Sequence, residues 1–201
     1  MSVVQPHGVI LAGGRATRMG GGDKGRLMLS GRSLVARVID RLAPQVDRLA
    51  LNANGAPDRW ADLGLPVLPD EAPDKPGPLA GVLAGLDWAA AKGCPHIVTA
   101  AADTPFLPPD LVPRLLAAAA PSGLALAATQ GDGRLRAQPT FGLWPVALRD
   151  DLRAALATGT RKILHWTDAH GAGLAEFPTA PWDPFFNVNT PEDLARAEAM
   201  A

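Results

Sequence analysis

The chain has 201 residues, 47% of them apolar and 19% charged, with a formal net charge of −1. That is enough chain for one domain with a sizeable core, so 1–201 reads as a single unit, and the near-neutral balance excludes a general polyanion-binding surface. No segment approaches the roughly 20 apolar residues of a membrane span and no basic flank precedes a long apolar run, which makes a cytoplasmic location the expectation. The lone Cys94 excludes an internal disulfide and, with no Cys/His cluster beside it, reads as a core residue at a strand edge.

His7 to Ala12 reads as a short buried strand that empties into LAGGRATRMGGGDKG, from Leu11 to Gly25. Glycines lack the Cβ that keeps a ligand off the backbone, and consecutive N–H groups can then converge on an anion. Between Arg15 and Arg32 stand five basic residues (Arg15, Arg18, Lys24, Arg26, Arg32) against Asp23 alone, so the positive excess is local and points to a phosphate-bearing ligand. The loop is not a P-loop, because Lys24 is followed by Gly25 rather than by Ser or Thr. Gly20, Gly22 and Gly25 match G-x-G-x-x-G, but that fingerprint wants its first glycine at a strand end and its acid at the end of the next strand, whereas Asp40 falls inside a helical pattern.

Leu34, Val35, Val38, Ile39 and Leu42 recur at helical spacing, with Pro44 marking the end. Val46 to Ala53 reads as a second strand ending in Asn52 and Asn54, and Leu65 to Pro69 as a third ending at Asp70. Asn52 has the address of a ligand residue at a strand's carboxyl end, although a turn or cap asparagine reads the same way. The segment DKPGPLAGVLAG opens a helix running to about Lys92; Gly77 lets backbone approach a planar group, and the small residues suit either a ligand or tight helix–sheet packing. Pro95 to Ala102 is the most strand-like run and ends in Asp103-Thr104-Pro105, facing the same edge as the glycine loop. Mg²⁺ takes hard oxygen ligands, one or two carboxylates plus substrate phosphates, which makes Asp103 the candidate metal ligand.

A helix from Asp110 to Ala120 precedes a strand at Leu124 to Thr129, a turn at Gly131-Asp132-Gly133, and a strand at Gln138 to Trp144 with an antiparallel pairing. A helix from Pro145 to Ala157 leads to Thr160-Arg161-Lys162, cations at the start of another helix, where the dipole disfavours them unless an anion is bound. Phe185-Phe186 reads as a strand end, Asn187 and Asn189 project from it on one face, and Thr190-Pro191-Glu192-Asp193 caps a last helix. The alternation of strands and helices predicts an α/β fold: a Rossmann-like three-layer sandwich, mostly parallel, with at least one antiparallel strand. His7, His96, His165 and His170 read as structural, and the five tryptophans are too scattered for a nucleic-acid stacking platform.

The run L-A-G-G-x-x-x-R-M-G-x-x-D-K resembles the nucleotidyltransferases of the nucleotide-diphospho-sugar transferase superfamily. LAGGRATRMGGGDKG, PGPLAG, AADTPF, QPTFGLW and FNVNTPEDL stand in the same order as in molybdenum cofactor guanylyltransferases, and the resemblance runs over nearly the whole chain. The first and fourth blocks alone would also suit the related cytidylyltransferases or other small NTP transferases, and a non-catalytic GTP-binding module is the reading from a different class. The resemblance implies that GTP and molybdopterin are joined with release of pyrophosphate. It implies that Leu11, Ala12, Gly13, Gly14 and Lys24 hold GTP, with Asn52, Asp70 and Gly77 on the nucleoside side and Asp103 on Mg²⁺. Arg18, Lys24 and Asp103 would carry the chemistry, and Asn187, Asn189 and Arg161 would meet the second substrate. Molybdenum-insertion proteins and acceptor molybdoenzymes are the implied partners, with neither nucleic acid nor membrane.

Overall fold

The structure is a computed structural model that describes residues 5–13, 22–71, 77–119 and 121–201. Gly14, Arg15 and Arg18 of the glycine loop, and the Asp74 to Pro76 turn, lie outside the described residues. One sheet of seven strands organises the chain in the order β5-β4-β1-β6-β8-β7-β9. Its first half is parallel: β1 (His7–Leu11) lies between β4 (Leu49–Asn52) and β6 (His96–Ala101), and β5 (Val67–Leu68) extends it beyond β4. β8 (Arg134–Pro145) runs antiparallel to both β6 and β7 (Ala125–Gly131), and β9 (Gly173–Phe177) closes the far edge parallel to β7. The three-layer α/β sandwich and its antiparallel strand are as the sequence predicts.

Helices cover both faces because each strand alternates apolar side chains into two cores. α1 (Leu34–Leu42) and α3 (Leu111–Ala118) pack with Ile10, Leu51, Val98 and Phe141 on one face. α2 (Pro78–Ala91), α4 (Arg149–Ala157) and α5 (Ile163–Ala169) pack with Val9, Ile97, Leu126 and Trp144 on the other. α1 starts where the Ser33 hydroxyl accepts the Ala36 N–H at 3.3 Å. The buried Trp144 indole donates to Thr99 Oγ1 at 2.8 Å, which satisfies two polar groups inside the second core.

α2 sits unusually close to the sheet, because its inward face carries glycine. A Cβ at Gly85 would lie 2.8 Å from both Ile97 Cδ1 and Val9 Cγ2, and one at Gly81 would lie 2.2 Å from Asn52 Oδ1. The glycines of this helix therefore serve packing, which is one of the two readings its sequence permits.

Several elements differ from expectation. Phe185-Phe186 is not a strand end: the Asp183 carboxylate accepts the Phe185 N–H at 2.8 Å, and this local turn replaces sheet pairing. α4 begins at Arg149 rather than Pro145, because β8 runs to Pro145 and a tight 3-10 turn, Val146–Leu148, intervenes. β8 itself begins at Arg134, ahead of Gln138. Its pairing with β7 jumps from Leu126↔Gly142 to Ala127↔Gln138, so Pro139, Thr140 and Phe141 are accommodated in a bulge where proline's missing N–H breaks no ladder bond. β9, the hairpin of β2 (Met28–Leu29) and β3 (Arg32–Ser33), and the 3-10 helix Pro57–Leu63 add to the predicted elements. α6 (Pro191–Met200) starts with a capping box in which Asp193 N–H reaches Thr190 Oγ1 and Asp193 Oδ2 accepts the Thr190 N–H.

Replacing Gly85 by valine forces side-chain atoms into Ile97 and Val9 and is expected to cost about 1–3 kcal/mol. The urea midpoint of the variant measures it; an unchanged midpoint would mean the helix can lift off the sheet freely.

Candidate functional site

The parallel half of the sheet ends in register. Leu11 pairs with Asn52 on one side and Ala101 on the other, and Asn52 pairs with Leu68. Chain order reverses across β1, whose neighbour β4 follows first while β6 returns on the opposite side, so a crevice opens beyond these four carboxyl ends. It is a cleft of about 400 Å³ lined by Leu11, Gly13, Asn52, Asn54, Asp70, Gly77, Pro78, Ala101, Asp103, Thr140 and Asn187. Among the described residues no histidine or cysteine lines it.

At one side of the cleft Asp70 is held by two asparagine amides. Asn52 Nδ2 donates to Asp70 Oδ1 at 2.8 Å and to the Leu68 carbonyl at 3.0 Å; Asn54 Nδ2 donates to Asp70 Oδ2 at 2.7 Å, and Asn54 Oδ1 accepts the Asp70 N–H at 2.8 Å. Asn52 is therefore neither a turn nor a cap residue. Asn54 does as much as Asn52 to fix the carboxylate, and its place at the strand end was its only signal in the sequence.

At the other side three segments distant in the chain converge. The Lys24 ammonium donates to Asn189 Oδ1 and lies 3.5 Å from Asp103 Oδ2. The Val188 N–H reaches the Asp103 carbonyl at 3.0 Å, and Thr104 Oγ1 donates to Asn187 Oδ1 at 2.9 Å. Val188 is fully buried, against Leu29, Leu34 and Phe106, so the asparagines on either side of it turn outward together. The pleat argument for Asn187 and Asn189 thus gives the right geometry although no sheet is present. Asn189 is fixed from behind, its N–H reaching Asp193 Oδ2 at 3.0 Å beside the cap of α6.

Asp103 is mostly buried, and burial pushes its carboxyl above the ordinary carboxylate value; the Lys24 ammonium and hydrogen bonds from its own backbone and Thr104 pull the other way without cancelling it. It caps no helix: α3 begins at Leu111 after Asp110, whose carboxylate is engaged by Arg114 at 2.6 Å. Among the described residues no three His, Cys, Asp or Glu side chains gather as a metal cluster.

Of the sequence candidates, Leu11, Gly13, Asn52, Asp70, Gly77, Asp103 and Asn187 line the crevice, Lys24 and Asn189 join them beside Asp103, and Ala12 turns its side chain into the core with its N–H on the Asn52 carbonyl, while Gly14 and Arg18 lie outside the described residues. Arg161 stands elsewhere. Its guanidinium donates to the Leu156 carbonyl at 2.8 Å and the Thr160 carbonyl at 2.6 Å, closing the end of α4. It lines a separate cavity of about 300 Å³ with Glu71, Arg153 and the apolar side chains of α2 and α4. Thr140, aimed at the cleft by the bulge in β8, is a lining residue that only the register jump reveals.

A doubly wound sheet with a crevice flanked by glycine backbone, a lysine and a carboxylate defines a nucleotide-handling α/β protein. The comparisons sharpen that class. Residues 8–172 match the family described as the MobA-like NTP transferase domain. A relative from Rhodopseudomonas palustris (strain BisB5), named molybdenum cofactor guanylyltransferase, is 54% identical over 198 residues, covering 96% of this chain and 92% of that one. One of the same name from Cereibacter sphaeroides is 54% identical over 193 residues, covering 96% and 95%. Among solved structures, the molybdopterin-guanine dinucleotide biosynthesis protein A of Archaeoglobus fulgidus shares 25% identity at a TM-score of 0.71, covering 96% of this chain and 97% of that one. A 4-diphosphocytidyl-2C-methyl-D-erythritol synthase from Anaerococcus prevotii, at 13% identity and a TM-score of 0.75, covering 98% and 96%, shows the shared fold alone. The chain belongs to the MobA-like NTP transferase family and is a nucleotidyltransferase.

The raised carboxyl of Asp103 has a consequence for stability. A carboxyl whose folded pKa exceeds its unfolded value makes the ionised form a cost to folding, absent below the unfolded pKa and fully felt above the folded one. In ligand-free protein Asp103→Asn is therefore expected to melt higher than the parent near pH 7, with the gap closing as pH falls through the carboxylate range. Parallel melting curves against pH measure this; a lower melting temperature at pH 7 would show that attraction to Lys24 outweighs burial.

Proposed function

We propose that this chain transfers the GMP unit of GTP to the phosphate of molybdopterin, giving the guanine dinucleotide form of the cofactor and pyrophosphate. A single nucleotidyltransferase domain over 1–201 carries the reaction. The supporting observation is the convergence of Lys24, Asp103 and Asn189 at the mouth of the crevice, opposite the clamped Asp70.

A molybdopterin phosphate oxygen attacks the α-phosphorus of GTP; the bond to the α,β-bridging oxygen breaks, and its electron pair leaves on pyrophosphate. The second pKa of a phosphate monoester lies near 6, so the nucleophile is largely ionised at pH 7 and no general base is needed. This agrees with a cleft in which no described histidine or cysteine stands. What the protein must supply is positioning and countercharge, since two anions meet and charge builds on the leaving group. Lys24, now shared between Asp103 and Asn189, is placed to turn toward the triphosphate, with Arg18 adding charge from the same loop. Asp70, held by Asn52 and Asn54, offers fixed acceptors to the nucleoside; Gly13 and Gly77, with open space where a Cβ would stand, let backbone approach it, and Leu11, Ala12 and Gly14 are assigned to the same GTP site. Asn187 and Asn189 would orient the incoming pterin phosphate, and Arg161 would meet the pterin from the neighbouring cavity.

Asp103 is the group that would hold Mg²⁺. Of the two carboxylates that line the cleft, Asp70 is engaged by two amides, and Asp103 is the hard oxygen ligand left for an ion that takes its remaining ligands from phosphates and water. When bound, the ion would neutralise phosphate charge at the reacting centre. A cytoplasmic location, and molybdenum-insertion proteins and acceptor molybdoenzymes as partners, belong to the same proposal and rest on the family. No helix among the described residues is long and apolar enough to cross a membrane.

Calorimetric titration with GTP, CTP, ATP and UTP, with and without Mg²⁺, tests the base and the metal; selective GTP binding is expected, and preference for CTP would move the reading to cytidylyl transfer. Lys24→Ala should lower turnover at least about tenfold, the scale of one lost charge contact to a transition state, with the circular dichroism spectrum unchanged. Undiminished turnover would remove Lys24 from the phosphate site.

A further inference from the structure

We infer that the 3-10 helix Pro57–Leu63 is a strap that positions the phosphate lysine, and that Arg59 is its working residue. The inference rests on the nucleotidyltransferase reading of the crevice and adds residues outside it. Lys24 lies in a one-turn 3-10 helix, Lys24–Arg26, and Asp23 just before it and Arg26 two residues after it are tied to this strap by ion pairs of opposite polarity. On one side the Arg59 guanidinium lies 3.1 Å from Asp23 Oδ2. On the other Arg26 pairs with both Asp62 oxygens, at 2.7 and 2.5 Å, donates to the Arg59 carbonyl, and stacks 4.5 Å above the Trp60 ring.

The strap can bear that load because Trp60 is 1% exposed and rooted in the core shared with Leu51 and Ala53. Arg59 also donates to the Asn54 carbonyl at 2.8 Å, so one side chain joins the strand end that clamps Asp70 to the backbone that carries Lys24. The charge arrangement explains why this matters. Asp23 precedes the lysine that the triphosphate must meet, and a bare carboxylate there would repel the phosphates and compete for the ammonium; the Arg59 partner removes both effects. Arg59 acts through Asp23 and Lys24, so it is a positioning residue rather than a catalytic one.

The test is a double-mutant cycle read by calorimetry with two ligands, guanosine and GTP, on the full chain. Arg59→Gln is expected to weaken GTP binding on the order of fivefold, the range of a partly exposed pair coupled to a site, while guanosine binding stays the same. In the Asp23→Asn background, where no carboxylate needs shielding, the same Arg59→Gln change should cost little further. Equal losses for guanosine and GTP would mean a general structural role and would overturn the inference, as would undiminished GTP affinity. A full loss repeated in the Asp23→Asn background would mean that Arg59 meets phosphate directly. A parent chain that binds guanosine and GTP alike would instead remove the phosphate reading itself.

Discussion

One ammonium group holds the site's parts in register. Lys24 belongs to the glycine-rich loop after β1, Asp103 to the end of β6, and Asn189 to the approach to α6, and the lysine head is shared between the last two. Each of the three is fixed by something that has no need of a ligand. The lysine is held by the ion pairs flanking it, the aspartate by the central strand and the Val188 amide, the asparagine by the cap of α6. A long, flexible lysine side chain on a fixed backbone can exchange one set of oxygens for another without the fold moving. The site is therefore built to change partners at a single terminal group.

That arrangement carries a cost. Asp103 is desolvated by its neighbours and its charge is only partly answered by Lys24, so its ionised form is disfavoured until further positive charge arrives. A cation held by Asp103 would supply the positive charge that Lys24 alone does not. The far side of the crevice has the opposite design: both Asp70 carboxylate oxygens accept amide hydrogen bonds, from Asn52 and Asn54. One carboxylate is held by two amides, while the other is pushed toward its neutral form by burial with a single ammonium beside it.

Much of this was legible in the sequence because the signals were local. The apolar runs of β1, β4, β5 and β6 and the Thr190-Pro191-Glu192-Asp193 cap each announce themselves locally, and the ends of β4, β5 and β6 give the addresses of Asn52, Asp70 and Asp103. What the sequence hid depends on pairing across the chain. Asn54 looks like any turn asparagine until Asp70 is set beside it, and Thr140 reaches the cleft only because a proline in β8 forces the register to jump. β9 carries a short period-two pattern, Ala175 and Phe177 inward, too weak to compete with the surrounding loop residues. Arg161 shows a contact the sequence could not: besides standing at a helix start, its guanidinium donates to carbonyls at the end of the preceding helix.

The closeness of α2 to the sheet ties fold to site at the level of single atoms. Gly81 leaves room for the Asn52 side chain, whose oxygen occupies the space a Cβ would fill, and that places the amide nitrogen on Asp70 and the Leu68 carbonyl. Any side chain at Gly81 must push Asn52 outward, loosen Asp70, and leave a buried amide without partners. Helix packing and the placement of the Asp70 carboxylate are thus one constraint here. The small residues of this helix serve packing, and the packing that lets α2 approach the sheet is what aims the asparagine.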